Sequence, residues 1–241
     1  MTSAMANMPG TDSIEDIARR IADDAGGFTG GPIERFADVG RHTLKSLKLT
    51  GLKRDSHVLD VGCGVLRLGY WLIRFLQPDR YCGIEPNPRY VELGLKHAVG
   101  EQLAAAKRPR FDNNTDFDFS KFGTRFDFVV ARSIFSHASP EMVCQTLESF
   151  RDNSADDGIM LVSYTPLGKE ERGARVIDLR NRGGAWSWRR YGKAYLQQLA
   201  RERGLFAANY GKPFNGQVWL RVAKQDLKKS REAAEAIELP V

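Results

Sequence analysis

The sequence has no run of 18 or more consecutive apolar residues, so no membrane-spanning helix is expected. Cysteine is scarce. Cys63, Cys82 and Cys144 are too few for a disulfide framework and their spacing fits no zinc site, which points to a reducing, cytoplasmic setting and no bound metal. The opening MTSAMANMPGTDS lacks a basic run followed by an apolar stretch, so it does not read as a signal peptide. A strong excess of one charge is missing too. Lys and Arg number 36 against 30 Asp and Glu, and the net +6 permits an anionic partner without demanding nucleic acid. What remains is ordinary globular composition, 42% apolar and 27% charged over 241 residues, enough for one large domain with a core on both faces of a sheet.

Two helical patterns come first. Ser13 with Asp16 opens a short amphipathic helix by capping-box logic, and GGFTGGP (26–32) reads as a hinge before a second helix over 33–48. From Val58 strands and helices alternate: VLDV, a helix over Val65–Leu76, a strand at 81–85, and a helix from Asn87-Pro88 to about His97. A weak strand around Arg110 follows, then a buried one over Phe126–Ala131, a helix from Ser139-Pro140 and a strand over Ile159–Tyr164. The chain closes with a helix over Ala194–Arg203 and two strands, Phe206–Tyr210 and Gln217–Ala223, read as an antiparallel pair. This pattern predicts a doubly wound α/β fold: a mostly parallel seven-stranded sheet with a C-terminal antiparallel pair. Residues 1–52 are then a flexible N-terminus and helical cap, 53–224 the main domain, and 225–241 a charged tail.

Ligands of such sheets sit beyond the carboxyl ends of the strands. After the first strand stands Asp60-Val61-Gly62-Cys63-Gly64, whose glycines let the backbone turn sharply beside a ligand. Glu85 ends the next strand 23 residues after Gly62, where a carboxylate can accept from both hydroxyls of a ribose. A dinucleotide fingerprint would carry a third glycine, but Gly64 is followed by Val65-Leu66-Arg67-Leu68. Asp60 would also repel a pyrophosphate while attracting an ammonium or sulfonium.

Four segments together, VLDVGCG (58–64), GIE (83–85), FDFVVARSIFSH (126–137) and GIMLVSY (158–164), resemble the class I S-adenosylmethionine-dependent methyltransferases of small molecules. The resemblance covers about 55–223 and departs from the family at Leu66, where many relatives carry a glycine. It implies S-adenosylmethionine as cofactor, a Rossmann-like methyltransferase fold, and the following roles. Gly62, Cys63 and Gly64 face the methionine and sugar, and Asp60 lies near the methionine amino group. Glu85 holds the ribose hydroxyls, Pro86 stacks near the adenine, and Asp116 with Phe117 borders the adenine amino group. Arg132 borders the cofactor through its backbone.

His137, just after the fourth strand, is the expected general base, with His42 a second candidate near the acceptor. Arg67, expected in the first turn of the helix after the glycine bend, could hold a carboxylate of the cofactor or the acceptor. The insertion 165–193 carries eight cations against three acids and interleaves them with Trp186, Trp188 and Tyr191. If it overhangs the pocket, Trp186, Arg189, Arg190 and Tyr191 would meet a carboxylate- or phosphate-bearing acceptor, and Tyr164 would border it. The leading expectation is methyl transfer to oxygen or nitrogen of a small or medium acceptor. An RNA acceptor, a cofactor-binding protein with a different reaction, and an NAD-dependent oxidoreductase stand as alternatives.

Overall fold

A computed structural model of the chain describes residues 13–26, 33–168, 173–178 and 187–225. Its first helix, α1 (Ile14–Ala25), begins as the capping box requires: the Ser13 hydroxyl accepts from the Asp16 amide at 3.1 Å and donates to the Asp16 carboxylate at 2.7 Å. A 3₁₀ turn, Ile33–Arg35, leads into α2 (Phe36–Leu49). The expected hinge lies largely outside the described residues, as do the start and end of the chain.

Five strands form the parallel part of the sheet: β1 (Val58–Val61), β2 (Tyr81–Ile84), β3 (Arg110–Asp112), β4 (Phe126–Ala131) and β5 (Ser154–Pro166), in the order β3-β2-β1-β4-β5. Two more strands, β8 (Phe206–Phe214) and β9 (Gln217–Ala223), complete it, with β9 antiparallel to both β5 and β8. These are the seven strands expected. A further hairpin, β6 (Ala174–Asp178) and β7 (Ser187–Tyr191), rises from the insertion, and β7 joins β5 in parallel at Thr165 and Pro166. The sequence signal there was charge and aromaticity, which hid the strand period.

Alternation along the buried strands sorts the core onto two faces. Leu59, Val61, Cys82, Ile84, Val129 and Met160 pack on one side with α6 (Pro140–Asn153) and α7 (Lys193–Arg201). Val58, Tyr81, Phe128, Val130 and Leu161 pack on the other with Leu47 of α2 and with Leu72 and Ile73 of α3 (Gly69–Phe75). Between β2 and β3 run α4 (Pro88–Leu93), six residues of π-helix over Gly94–Val99, and α5 (Glu101–Lys107). Asn87 caps α4 by accepting from the Arg89 amide at 3.2 Å, with Pro88 in the first turn as the sequence predicts. The N-terminal helices are fastened down: Asp24 at the end of α1 meets Lys96 at 2.9 Å and His97 at 2.8 Å.

One expected boundary moves. The helix after β1 starts at Gly69 rather than Val65, so Arg67 stands in the turns ahead of α3 and not in a helix. The cause is Leu66, whose φ of 59° lies in the left-handed region and breaks any helical run through it. Glycine is the residue that adopts this conformation most readily. Here a buried leucine takes the same conformation.

Candidate functional site

The carboxyl ends of β1, β2 and β4 open into a cavity of about 510 Å³, a size ordinary for small-ligand sites. Its lining includes Asp60, Gly62, Cys63, Gly64, Glu85 and Pro86, all expected at a cofactor. Gly62 has φ of 68°, and a Cβ there would run into the Ile134 side chain. At Gly64 φ is 52° with nothing near the missing Cβ, so bare backbone faces open space. The bend is pinned by the Gly62 and Cys63 amides, which both donate to the Ile84 carbonyl, at 2.8 and 3.0 Å.

Glu85 reaches across to this bend. One carboxylate oxygen accepts from the Gly64 amide and the other from the Asn87 amide, both at 3.0 Å. Each oxygen keeps a lone pair for a further donor. Burial raises the Glu85 pKa above the usual carboxylate range, while those two amides pull the other way. Asp60 is buried between β2 and β4 and accepts from the Tyr81 hydroxyl at 2.9 Å. Desolvation pushes its pKa up to about 7, the tyrosine bond opposes this, and the Glu85 charge adds to it. Burial also raises the Cys63 thiol far above its ordinary value.

Phe117 lines the cavity at a φ of 58°. Asp116 does not; it is exposed, and its loop neighbours Asn114 and Thr115 line the wall instead. Asn114 accepts from the Asp118 amide at 3.1 Å and donates to the Asp112 carboxylate at 2.6 Å, a brace across the loop that leaves Asp116 outside it.

Past β4, Arg132, Ser133, Ile134 and His137 line the opposite wall. Ser133 has φ of 62° and is held there: its amide donates to the Ser163 hydroxyl at 2.7 Å and its hydroxyl to Gln217 Oε1 at 3.1 Å. The Arg132 guanidinium reaches toward the last two strands. It lies over the rings of Phe214 and Trp219 at 5.6 and 5.0 Å. His42 stacks on the other ring of this group, Phe214, with centroids 3.9 Å apart. Arg67 lines the cavity as well.

The insertion approaches from the His137 side. Trp188 meets the His137 ring edge-on at 5.1 Å, and the Arg189 amide donates to the Ser136 carbonyl at 2.7 Å. Arg190 is exposed and neither arginine lines the cavity. Tyr191 is buried, its hydroxyl spent on the Ala138 carbonyl at 2.6 Å, and Tyr164 donates to Asn209 at 2.9 Å. Both tyrosines therefore serve the core beside the site. Trp186 lies outside the described residues.

Sequence reasoning missed Val39, Gly40 and Thr43, which α2 contributes to the cavity wall. The available signal was Gly40, where a Cβ would meet Trp71 Nε1 at 2.5 Å: a glycine inside a helix marks a close approach. Among the described residues no helix is long and apolar enough to cross a membrane and no cluster of His, Cys, Asp or Glu could hold a metal ion.

Solved structures share this architecture at low identity. The glycopeptide N-methyltransferase MtfA, complexed with S-adenosylmethionine, aligns with a TM-score of 0.61 and 12% identity over 79% of this chain and 94% of its own. Magnesium protoporphyrin IX methyltransferase (ChlM) of Synechocystis PCC 6803, with bound S-adenosylmethionine, aligns at 0.59 and 17% identity over 87% and 90%. In sequence, the uncharacterised protein RP028 of Rickettsia prowazekii (strain Madrid E) is 26% identical over 127 residues, 50% of this chain. The match spans about half the length of that curated relative, 48%. The family described as "Methyltransferase domain" matches residues 34–207, well over half the sequence, and this chain belongs to it.

Proposed function

We propose that the protein binds S-adenosylmethionine and transfers its methyl group to oxygen or nitrogen of a small or medium acceptor. The observation that carries this reading is the pairing of Asp60 and Glu85 around the Gly62–Gly64 bend, one acid beside each end of a ligand that is cationic at one end and a nucleoside at the other. The residues fit such a cofactor. Glu85 keeps lone pairs for the ribose hydroxyls, and Asp60, held near neutrality by burial, gains a reason to ionise when an ammonium arrives. Pro86 and Phe117 offer apolar surface for the adenine.

The bound sulfonium supplies an activated methyl, so this chain has to align a nucleophile and keep water out. Val39, Gly40 and Thr43 of α2 would close one side of the reaction space and Ile134 and Met142 the other. His137, facing the cavity with Trp188 against its ring, stands where an acceptor proton would be taken.

The test is calorimetric titration of S-adenosylhomocysteine. Glu85→Ala removes two charge-assisted ribose bonds and should weaken binding by about 2–4 kcal/mol, one to three orders of magnitude in Kd. Wild-type affinity in that variant would remove Glu85 from the site.

A further inference from the structure

The acids of the cavity and its cations are segregated. Asp60 and Glu85 lie at the ends of β1 and β2, while Arg132 follows β4 on the other side of β1. Two strand spacings, about 10 Å, therefore separate the backbones that carry Glu85 and Arg132. On the cation side, Arg67 is near enough to Arg132 for like-charge repulsion to be felt there.

Arg132 is built in. Two aromatic rings flank its guanidinium, and its one hydrogen bond among the described residues is a long one, to the Phe214 carbonyl at 3.4 Å. Its Nε is buried without an acceptor, as is Nε1 of Trp219 beneath it. A half-buried guanidinium with an enclosed Nε ordinarily finds a carboxylate or several carbonyls. This one has five donors, one weak acceptor and a second cation facing the same space.

We propose that Arg67 and Arg132 form a subsite for an acidic group of the acceptor, a carboxylate or a phosphate. The inference rests on the methyltransferase reading above. S-adenosylmethionine would bring a sulfonium into a cavity whose lining already holds Arg67 and Arg132, and an anionic acceptor offsets that charge. Planar guanidinium forks match both carboxylate and phosphate, and the Phe214 and Trp219 faces that hold Arg132 lower the local polarity in which the pair would form. The acidic group thus enters from the β4 side, and the acceptor's nucleophile is directed toward the bend at Gly62–Gly64.

The experiment titrates benzoate and, separately, inorganic phosphate into wild type, Arg132→Gln, Arg132→Lys and Arg67→Gln, each with and without saturating S-adenosylhomocysteine. Circular dichroism confirms that each variant is folded. At least one anion should bind wild type saturably, weaken by about tenfold or more in both Gln variants, and weaken less in Arg132→Lys, which keeps the charge and loses the fork. Affinity for S-adenosylhomocysteine should fall by a clearly smaller factor than anion affinity in both Gln variants. Equal anion binding in wild type and the Gln variants would overturn the subsite, as would absence of saturable anion binding to wild type. A loss of S-adenosylhomocysteine affinity matching the anion loss would also overturn it, assigning the arginines to the cofactor's own carboxylate. Wild type that takes up the anions but no S-adenosylhomocysteine would contradict the methyltransferase reading and leave the arginine pair standing.

Discussion

The Tyr81 hydroxyl donates to the Asp60 carboxylate across 2.9 Å, with both residues buried. Burial nevertheless wins over that bond and holds the Asp60 pKa at about 7 against an ordinary 3.8. Between those values the folded chain keeps a proton that the unfolded chain has released. Stability of the ligand-free protein should therefore fall as pH rises from about 4 to about 7, by an amount on the order of a few kcal/mol. The raised pKa of Glu85 acts in the same direction. Urea midpoints at pH 5 and pH 8 measure this, and Asp60→Asn should flatten the difference; an unchanged slope in that variant would refute the assignment.

Ligand binding should reverse the proton balance. An ammonium beside Asp60 favours the carboxylate, so S-adenosylhomocysteine should bind more weakly below pH 7 and release a proton on binding there. Calorimetry at pH 6 in two buffers of different ionisation enthalpy reads the proton directly. Identical heats in the two buffers would mean that Asp60 does not change protonation on binding, and would contradict its pairing with the ammonium.

Leu66 joins two demands that usually exclude each other: complete burial and a left-handed backbone. Leu66→Ala keeps the strained backbone and opens a cavity, and should cost about 2–5 kcal/mol. Leu66→Gly loses slightly more buried surface but sheds about 1 kcal/mol of strain. The glycine variant should thus be at least as stable as the alanine variant, the reverse of the order expected in a helix. Denaturant midpoints decide it, and a clearly weaker glycine variant would contradict the strain at this position.

Gln217 links the last strand to the loop after β4. Its side-chain oxygen accepts from Ser163 at 2.7 Å and from Ser133 at 3.1 Å, and it is buried. Gln217→Leu strands both hydroxyls and should cost about 1–3 kcal/mol in stability. It should also loosen Ser133, whose φ of 62° that bond helps to hold, and so weaken anion binding at Arg132 next to it. A destabilised variant with unchanged anion affinity would show the network to be purely structural.

Those two positions show what sequence could and could not disclose. The seven strands of the main sheet, the caps at Ser13, Asn87 and Ser139, and the acids beside the glycine bend were legible because each depends on neighbours close in the chain. Leu66 was noticed as a departure, yet no local rule says that a leucine will accept a glycine's conformation when the core holds it there. The β6–β7 hairpin was hidden by its cations. The cavity wall from α2, and the Phe214 and Trp219 rings against Arg132 some 80 positions earlier in the chain, come together only in the closed sheet. The stack of His42 on Phe214 is long-range in the same way, because the end of β8 brings that ring to α2. Asp116 is exposed while Thr115 and Phe117 on either side of it line the cavity, and no local rule sets which residue of a short loop turns inward.

Titration of S-adenosylhomocysteine into the wild-type protein, with NAD as the competing nucleotide, tests the central claim most directly. The account predicts saturable binding of one S-adenosylhomocysteine per chain that NAD does not displace. Uptake of NAD with no measurable S-adenosylhomocysteine binding would contradict it.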